Sequence, residues 1–159
     1  MNFHSKKAIV EVLKRRDEKP KTEYRLLAID TGEKRMGFAI WDPRSQLIRS
    51  LPQYQRRGLK NDLLALQKIV EQEGVEALVV GIPQNEGRPS SSESAALFWE
   101  KKLRAQFDLP VWSCDESMSS RQAEEILRGQ SPKRKKKKKD SLAAALFLEA
   151  FIRDQKNEL

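Results

Sequence analysis

The chain has little of what disulfide-bonded, exported and membrane-spanning proteins need. Its 159 residues include one cysteine, Cys114, and one histidine, His4. One cysteine excludes an internal disulfide, and a protein without disulfides is expected in the cytoplasm. No apolar run approaches the roughly 20 residues of a membrane span. The charged N-terminus also lacks the apolar stretch and small-residue cleavage site of an export signal, so we predict a cytoplasmic protein.

Positive charge is concentrated in one stretch of the sequence. Lysine and arginine number 31 against 23 acidic residues, giving a net charge of +8, and residues 133–139 are all lysine or arginine. Without this run the chain is nearly neutral. A solvated basic loop is the ordinary interpretation of such a run. The run 133–139 is directly followed by Asp140, however. Beside a metal site, such a run would attract the phosphate backbone of a nucleic acid without sequence specificity.

The spacing of apolar residues predicts a single α/β domain over residues 24–153. Strands are expected at 25–30, 36–41 and 47–51 as an antiparallel meander, and then at 77–80 and 111–114. Helices are expected from Leu59 to Gly74, from Ser90 to Phe107, over 122–127 and from Asp140 onward. Three meander strands followed by β-α units predict a mixed five-stranded sheet with helices on both faces. Residues 1–23 are predicted to form a basic amphipathic helix and a linker, and 154–159 a tail.

Three acidic residues stand where the predicted elements meet. Asp30 ends the first strand, Glu116 follows the last strand, and Asp140 opens the final helix. Chemistry in α/β sheets collects at the carboxyl ends of strands, so these acids can converge. Converging carboxylates repel unless a cation joins them, and ligands that offer only oxygen suit Mg²⁺ or Mn²⁺. The pattern therefore predicts metal-assisted phosphodiester chemistry without a histidine base.

Each acid also has a plainer interpretation. Asp30 opens the tripeptide Asp-Thr-Gly, which occurs in ordinary turns, in aspartic proteases and in the sugar-kinase and actin group. The proteases are built almost entirely of strands, and the kinases need two domains. Asp115 is the alternative acid to Glu116, because neighbouring strand residues point to opposite faces. Asp140 can be a simple N-cap, although a capping box would need Glu or Gln where Ala143 stands.

The loop 81–90 is a candidate phosphate-binding segment. It leads into the predicted N-terminus of a helix, where free backbone amides favour an anion. Arg88 and the Ser90 hydroxyl can add to such a site, while a connecting loop with helix caps explains the same residues equally well.

Taken in order, these segments resemble the YqgF/RuvX family of RNase H-like nucleases, described as Holliday junction resolvases and as processing enzymes for the small-subunit ribosomal RNA precursor. The resemblance covers about residues 25–152. Its first motif falls on 30–37, with Met36 in place of the usual isoleucine, and its second on 80–87 with Asn85. The third falls on 115–119, where Ser117 replaces the family arginine. The fourth is the basic run followed by Asp140 and the alanines at 143–145.

The resemblance implies an RNase H-like fold and a nuclease dependent on Mg²⁺ or Mn²⁺. Asp30, Glu116 and Asp140 would be the catalytic and metal-binding acids. The substrate-binding residues would be Lys34, Arg35, Asn85, Arg88, Ser90, Lys137, Lys138 and Lys139. The expected substrate is nucleic acid, with RNA at the 5′ end of pre-16S rRNA first and junction DNA second, and ribosomal precursor particles are expected partners. A non-catalytic nucleic-acid-binding or ribosome-assembly factor and an ATPase-like half domain are the alternatives.

Overall fold

A computed structural model describes residues 19–83, 91–115 and 132–157, without the side chains of 92 and 132–141. The sheet has five strands: β1 (Leu26–Thr31), β2 (Arg35–Asp42), β3 (Leu47–Gln55), β4 (Ala77–Ile82) and β5 (Val111–Asp115). Three α-helices accompany them: α1 (Leu59–Glu73), α2 (Ser91–Gln106) and α3 (Pro132–Asn157). A 3₁₀ turn, Lys21–Glu23, precedes the sheet. None of the helices in these ranges has the length and apolar character to cross a bilayer.

The strands lie in the order β3-β2-β1-β4-β5. β1 pairs antiparallel with β2 and parallel with β4, while β2 pairs antiparallel with β3 and β4 parallel with β5. The predicted sheet, a meander of three strands extended by two parallel strands, is confirmed. β3 runs four residues beyond the predicted end at Leu51, and Pro52 is tolerated there because β3 is an edge strand.

Helices cover both faces of the sheet and divide the core in two. On one face, Leu27, Ile29 and Leu78 pack with α1 and α2 residues such as Leu66 and Trp99. On the other face, strand residues that alternate with these pack against α3. That second cluster contains Leu26, Ala28, Ala39, Val79, Ala144, Phe147, Leu148 and Phe151. Because successive strand residues point to opposite faces, the first four residues of β1 belong alternately to the two clusters.

The helix α1 ends where the sequence predicted. Gly74 follows it in the left-handed conformation, with φ of 63°, and its N–H bonds to the Val70 carbonyl. Glycine adopts this conformation without the steric cost that other residues meet.

The final helix begins earlier than predicted. α3 starts at Pro132, so the basic run 133–139 is helical and Asp140 lies inside the helix. The expected lysine loop and the N-cap interpretation of Asp140 are therefore wrong. Proline fits the first helical position because its fixed φ suits the helix and its missing N–H would lack a helical partner there. Lysine and arginine are good helix formers, and nothing between 133 and 140 interrupts the helix.

Residues just before β1 contact the sheet. The Lys19 ammonium forms an ion pair with the Glu76 carboxylate at 2.9 Å. The Trp41 indole N–H donates to the Thr22 carbonyl at 2.8 Å, and the Lys21 ammonium lies 5.1 Å from the centre of the Trp112 ring. The predicted extension 1–23 is described from residue 19 onward, so the helix predicted within it lies outside the described residues, as does the predicted helix 122–127.

Candidate active site

Asp30 lies at the carboxyl end of the central strand β1. It is half-buried, and it pairs in register with Gly37 of β2. Along β1, Leu26 and Ala28 belong to the cluster under α3, while Leu27 and Ile29 belong to the opposite cluster. The alternation puts Asp30 on the α3 face of the sheet.

The turn after Asp30 is tight and depends on a glycine. A side chain at Gly32 would overlap the backbone carbonyl of Arg35. Any larger residue would therefore force the turn between β1 and β2 to open. Beyond this turn, Lys34 is exposed and Arg35 is half-buried. Both predicted substrate-binding cations of this segment thus lie within five residues of Asp30.

A buried acid near this turn is not among the site residues predicted from the sequence. Asp62, in the first turn of α1, has a side chain that is 0% exposed. Its carboxylate accepts hydrogen bonds from the Tyr54 hydroxyl at 2.9 Å, the Arg56 Nε at 3.1 Å and the Arg57 backbone N–H at 2.8 Å. Desolvation, together with the hydrogen bond to Asp62, raises the pKa of Tyr54 above its ordinary value of 10.0. Tyr54 is therefore a neutral donor near pH 7.

The sequence did contain a signal for Asp62. It precedes Leu66 by four residues, which places it on the apolar stripe of α1. An acid on a buried stripe needs hydrogen-bond partners, so a polar cluster was foreseeable there. Its partners on β3 and beyond could not be inferred, because they depend on where the edge strand ends.

The last strand, β5, carries the alternative acid. Asp115 ends β5, is exposed, and alternates with Val111 and Ser113. Val111 belongs to the cluster under α1 and α2, whereas Trp112 and Cys114 pack against the α3 cluster. The strand alternation therefore puts Asp115 on the face opposite to Asp30.

Two contacts fix how β5 runs against α3. The rings of Trp112 and Phe151 stack with centroids 6.3 Å apart. Two residues further along β5, the Cys114 thiol donates to the Phe147 carbonyl at 4.0 Å. Moving two residues forward along β5 therefore moves the contact four residues back along α3. The strand and helix are antiparallel, and the beginning of α3 lies toward the carboxyl ends of β1 and β5.

Asp140 occupies a defined position on α3 although its side chain is not described. It lies on one helical stripe with Ala144, Phe147 and Phe151, spaced by 4, 3 and 4 residues. Ala144, Phe147 and Phe151 are buried against the sheet face that includes Ala28. The helix position of Asp140 therefore continues the stripe that packs on the face of Asp30. Lys137, Lys138 and Lys139 precede it in the same helix, again without described side chains.

Several predicted site residues lie outside the described part of the chain. These are Glu116 after β5, and Asn85, Arg88 and Ser90 after β4. Among the side chains that are described, no three histidine, cysteine, aspartate or glutamate residues group as a metal site. Of the three predicted acids, Asp30 is the one whose side chain lies in this described set.

Curated relatives match most of the chain. A protein of Thermosynechococcus vestitus named "Putative pre-16S rRNA nuclease" is 37% identical over 130 residues, which cover 80% of this chain and 86% of the relative. A protein of Caldanaerobacter subterraneus with the same name is 34% identical over 137 residues, covering 84% of this chain and 99% of the relative.

Solved structures resemble the fold at low sequence identity. RuvC of T. thermophilus, solved in complex with a Holliday junction substrate, has a TM-score of 0.50 at 15% identity and covers 82% of this chain and 95% of its own. The yeast mitochondrial Holliday junction resolvase has a TM-score of 0.50 at 12% identity. The match covers 92% of this chain and 85% of the resolvase. These likenesses show an RNase H-like fold. The family model described as "RuvX: Holliday junction resolvase" matches residues 24–154, and the chain belongs to this family of nucleases.

Proposed function

We propose that this protein is a metal-dependent nuclease in which Asp30, Glu116 and Asp140 bind one or two Mg²⁺ or Mn²⁺ ions. Hydrolysis of nucleic acids follows from membership of the family, whereas the metal and its three ligands are proposed here. Asp115 is set aside as the third acid, because its position on β5 belongs to the face of the sheet away from Asp30.

The observation that carries the proposal is the antiparallel register of β5 and α3. Two strand residues span about 6.6 Å and four helical residues about 6 Å, so the register continues with little drift. The contacts of Trp112 with Phe151 and of Cys114 with Phe147 are one such step apart. We propose that the register continues by one further step, which would take position 116 to position 143, one helical turn from Asp140. This supports the convergence of Glu116 and Asp140 on the face that carries Asp30.

The donor set fits a hard divalent cation. All three proposed ligands are carboxylates, and the half-buried position of Asp30 limits the water that competes for it. When bound, such an ion supplies positive charge at the attacking and leaving oxygens of the phosphodiester. Lys34 and Arg35 are proposed to neutralise phosphate charge beside Asp30. Asn85, Arg88, Ser90 and Lys137–Lys139 are proposed to hold the flanking strand.

Precursor ribosomal RNA is the first proposed substrate. It is favoured by the names of the two relatives, which align over at least 80% of this chain. Ribosomal precursor particles in the cytoplasm would then be its partners. Holliday junction DNA is the second proposed substrate, favoured by the family description and by the junction complex of the fold neighbour RuvC.

The decisive variant is Asp30→Asn, which keeps the size of the side chain and removes its charge. We expect cleavage in Mg²⁺ to fall by at least about a thousandfold, because the lost ligand contributes several kcal/mol to the transition state. Binding of the substrate and the melting temperature should change little. Gel assays on pre-16S RNA and on a four-way junction, run side by side, measure this.

Asp154→Asn is the matched control, since Asp154 is an exposed acid near the far end of α3. It should cleave like the wild type. Equal cleavage by the wild type and Asp30→Asn would mean that the activity comes from a contaminant and would contradict the proposal. Binding without any cleavage would favour a non-catalytic assembly factor.

A further inference from the structure

Arg56 connects the turn after Asp30 to the rest of the domain. Its Nη1 donates to the Glu33 carbonyl at 3.1 Å and approaches the Gly32 carbonyl at 3.4 Å. Its own backbone N–H donates to the Lys34 carbonyl at 2.9 Å. Three consecutive carbonyls of the turn are therefore bonded to one residue that follows β3.

The other side of the Arg56 guanidinium is anchored in the core. Its Nε donates to Asp62, whose carboxylate is wholly buried and holds two further donors. A buried carboxylate with several partners has little freedom to move, because losing a partner leaves a desolvated charge. The Arg56 contact with Asp62 is thus a fixed point from which the turn is held.

An aromatic ring fixes the plane of the same guanidinium. The Arg56 Cζ lies 5.3 Å from the centre of the Trp99 ring, and Trp99 of α2 is 1% exposed. Guanidinium groups stack on aromatic faces, and an ammonium group cannot combine such stacking with a planar fork of donors. Arg56 thereby links α1, α2 and the β1–β2 turn in one orientation.

We propose that Arg56 is a positioning residue for phosphodiester cleavage. It holds the Gly32–Lys34 turn so that Asp30 and the cations Lys34 and Arg35 engage the same phosphate. The inference rests on the proposed nuclease function, and it adds a residue that acts through the turn and touches neither substrate nor metal. Small misplacements of catalytic groups reduce turnover strongly, so loosening this turn should act on kcat.

The test is Arg56→Lys, which keeps the positive charge beside Asp62 and removes the planar fork. We expect kcat to fall by about tenfold or more while KM changes by less than about threefold. The melting temperature should fall by a few degrees, because Asp62 loses the Arg56 Nε–H as a donor, and kcat should be lower than that of the wild type even at temperatures well below this transition. Hydrogen exchange of the amides of residues 31–35 should become faster, and this readout needs no cleavage.

Arg49→Lys is the matched control, because Arg49 lies on β3 and pairs at 2.6 Å with Glu73 away from the turn. It should leave kcat and the exchange of 31–35 unchanged. A loss of kcat that disappears at temperatures well below the transition of the variant would mean a structural role and overturn the inference. Arg56→Lys with wild-type kcat and exchange would overturn it too. If the wild type and Arg49→Lys cleave no substrate, the proposed function itself is overturned.

Discussion

At the scale of single residues, the candidate site depends on side chains that do not carry the chemistry. Asp62 is buried only because Tyr54, Arg56 and Arg57 donate to it. The position of Asp30 at the end of the first strand could be predicted from the sequence, and it made Asp30 a candidate because chemistry in α/β sheets collects at the carboxyl ends of strands. The cluster that supports it has no such pattern, because its members come from an edge strand, a loop and a helix.

The hydrogen bond from Tyr54 to Asp62 gives a residue-scale prediction about pH. The folded state raises the pKa of Tyr54 above 10.0, mainly by desolvation and then by the bond to Asp62. This contribution to stability is fully present below the pKa of unfolded tyrosine and is lost as pH rises through the higher folded value. The free energy of unfolding of the wild type should therefore fall with rising pH above about 10.

Tyr54→Phe should remove this alkaline dependence and lower stability by about 1–3 kcal/mol at pH 7, because the buried carboxylate loses a donor. Urea denaturation between pH 7 and 11 measures both effects. Tyr24→Phe is the control, since Tyr24 packs edge-on against Trp112 at 5.4 Å and lies far in sequence from Asp62. Parallel pH profiles for the wild type and Tyr54→Phe would refute this account of Tyr54.

At the scale of secondary-structure elements, α3 carries both the core stripe and the basic run. The apolar positions of α3 were predictable from their spacing, which matches Ala144, Phe147, Phe151 and Ile152 in the core. The residue at which α3 begins was not predictable, because a run of lysines has no apolar periodicity and resembles a solvated loop. The high helix propensity of lysine, together with Pro132 at the first helical position, favours a helix over residues 132–139.

The basic part of α3 predicts a change in salt dependence. Replacing Lys137, Lys138 and Lys139 together by glutamine should weaken RNA binding. It should also reduce the slope of log K against log salt by about 2, since each phosphate contact with a single strand contributes about 0.7. Filter binding at several salt concentrations measures the slope.

A triple glutamine variant of the exposed residues Lys68, Lys101 and Lys102, on α1 and α2, is the control with the same change of charge. It should leave the slope close to that of the wild type. An equal reduction by both triple variants would mean that the protein binds through net charge alone, without use of the basic part of α3.

At the scale of the whole molecule, the sheet order explains how distant acids can meet. β1 is central, β5 follows two places along, and α3 crosses the face that both strands share. The meander and the β-α units were predictable because strand and helix periodicities differ and connections are short. The convergence of Glu116 and Asp140 stays a prediction, since it depends on side chains beyond the described part of the chain.

Isothermal titration of Mn²⁺ into the wild type and into Asp140→Asn tests the central claim most directly. We predict saturable binding of one or two ions to the wild type and an affinity lower by at least about tenfold in Asp140→Asn. Asp108→Asn, an exposed acid before the amino end of β5, should bind as the wild type does. Identical titrations of the wild type and Asp140→Asn would contradict a metal site built on this helix.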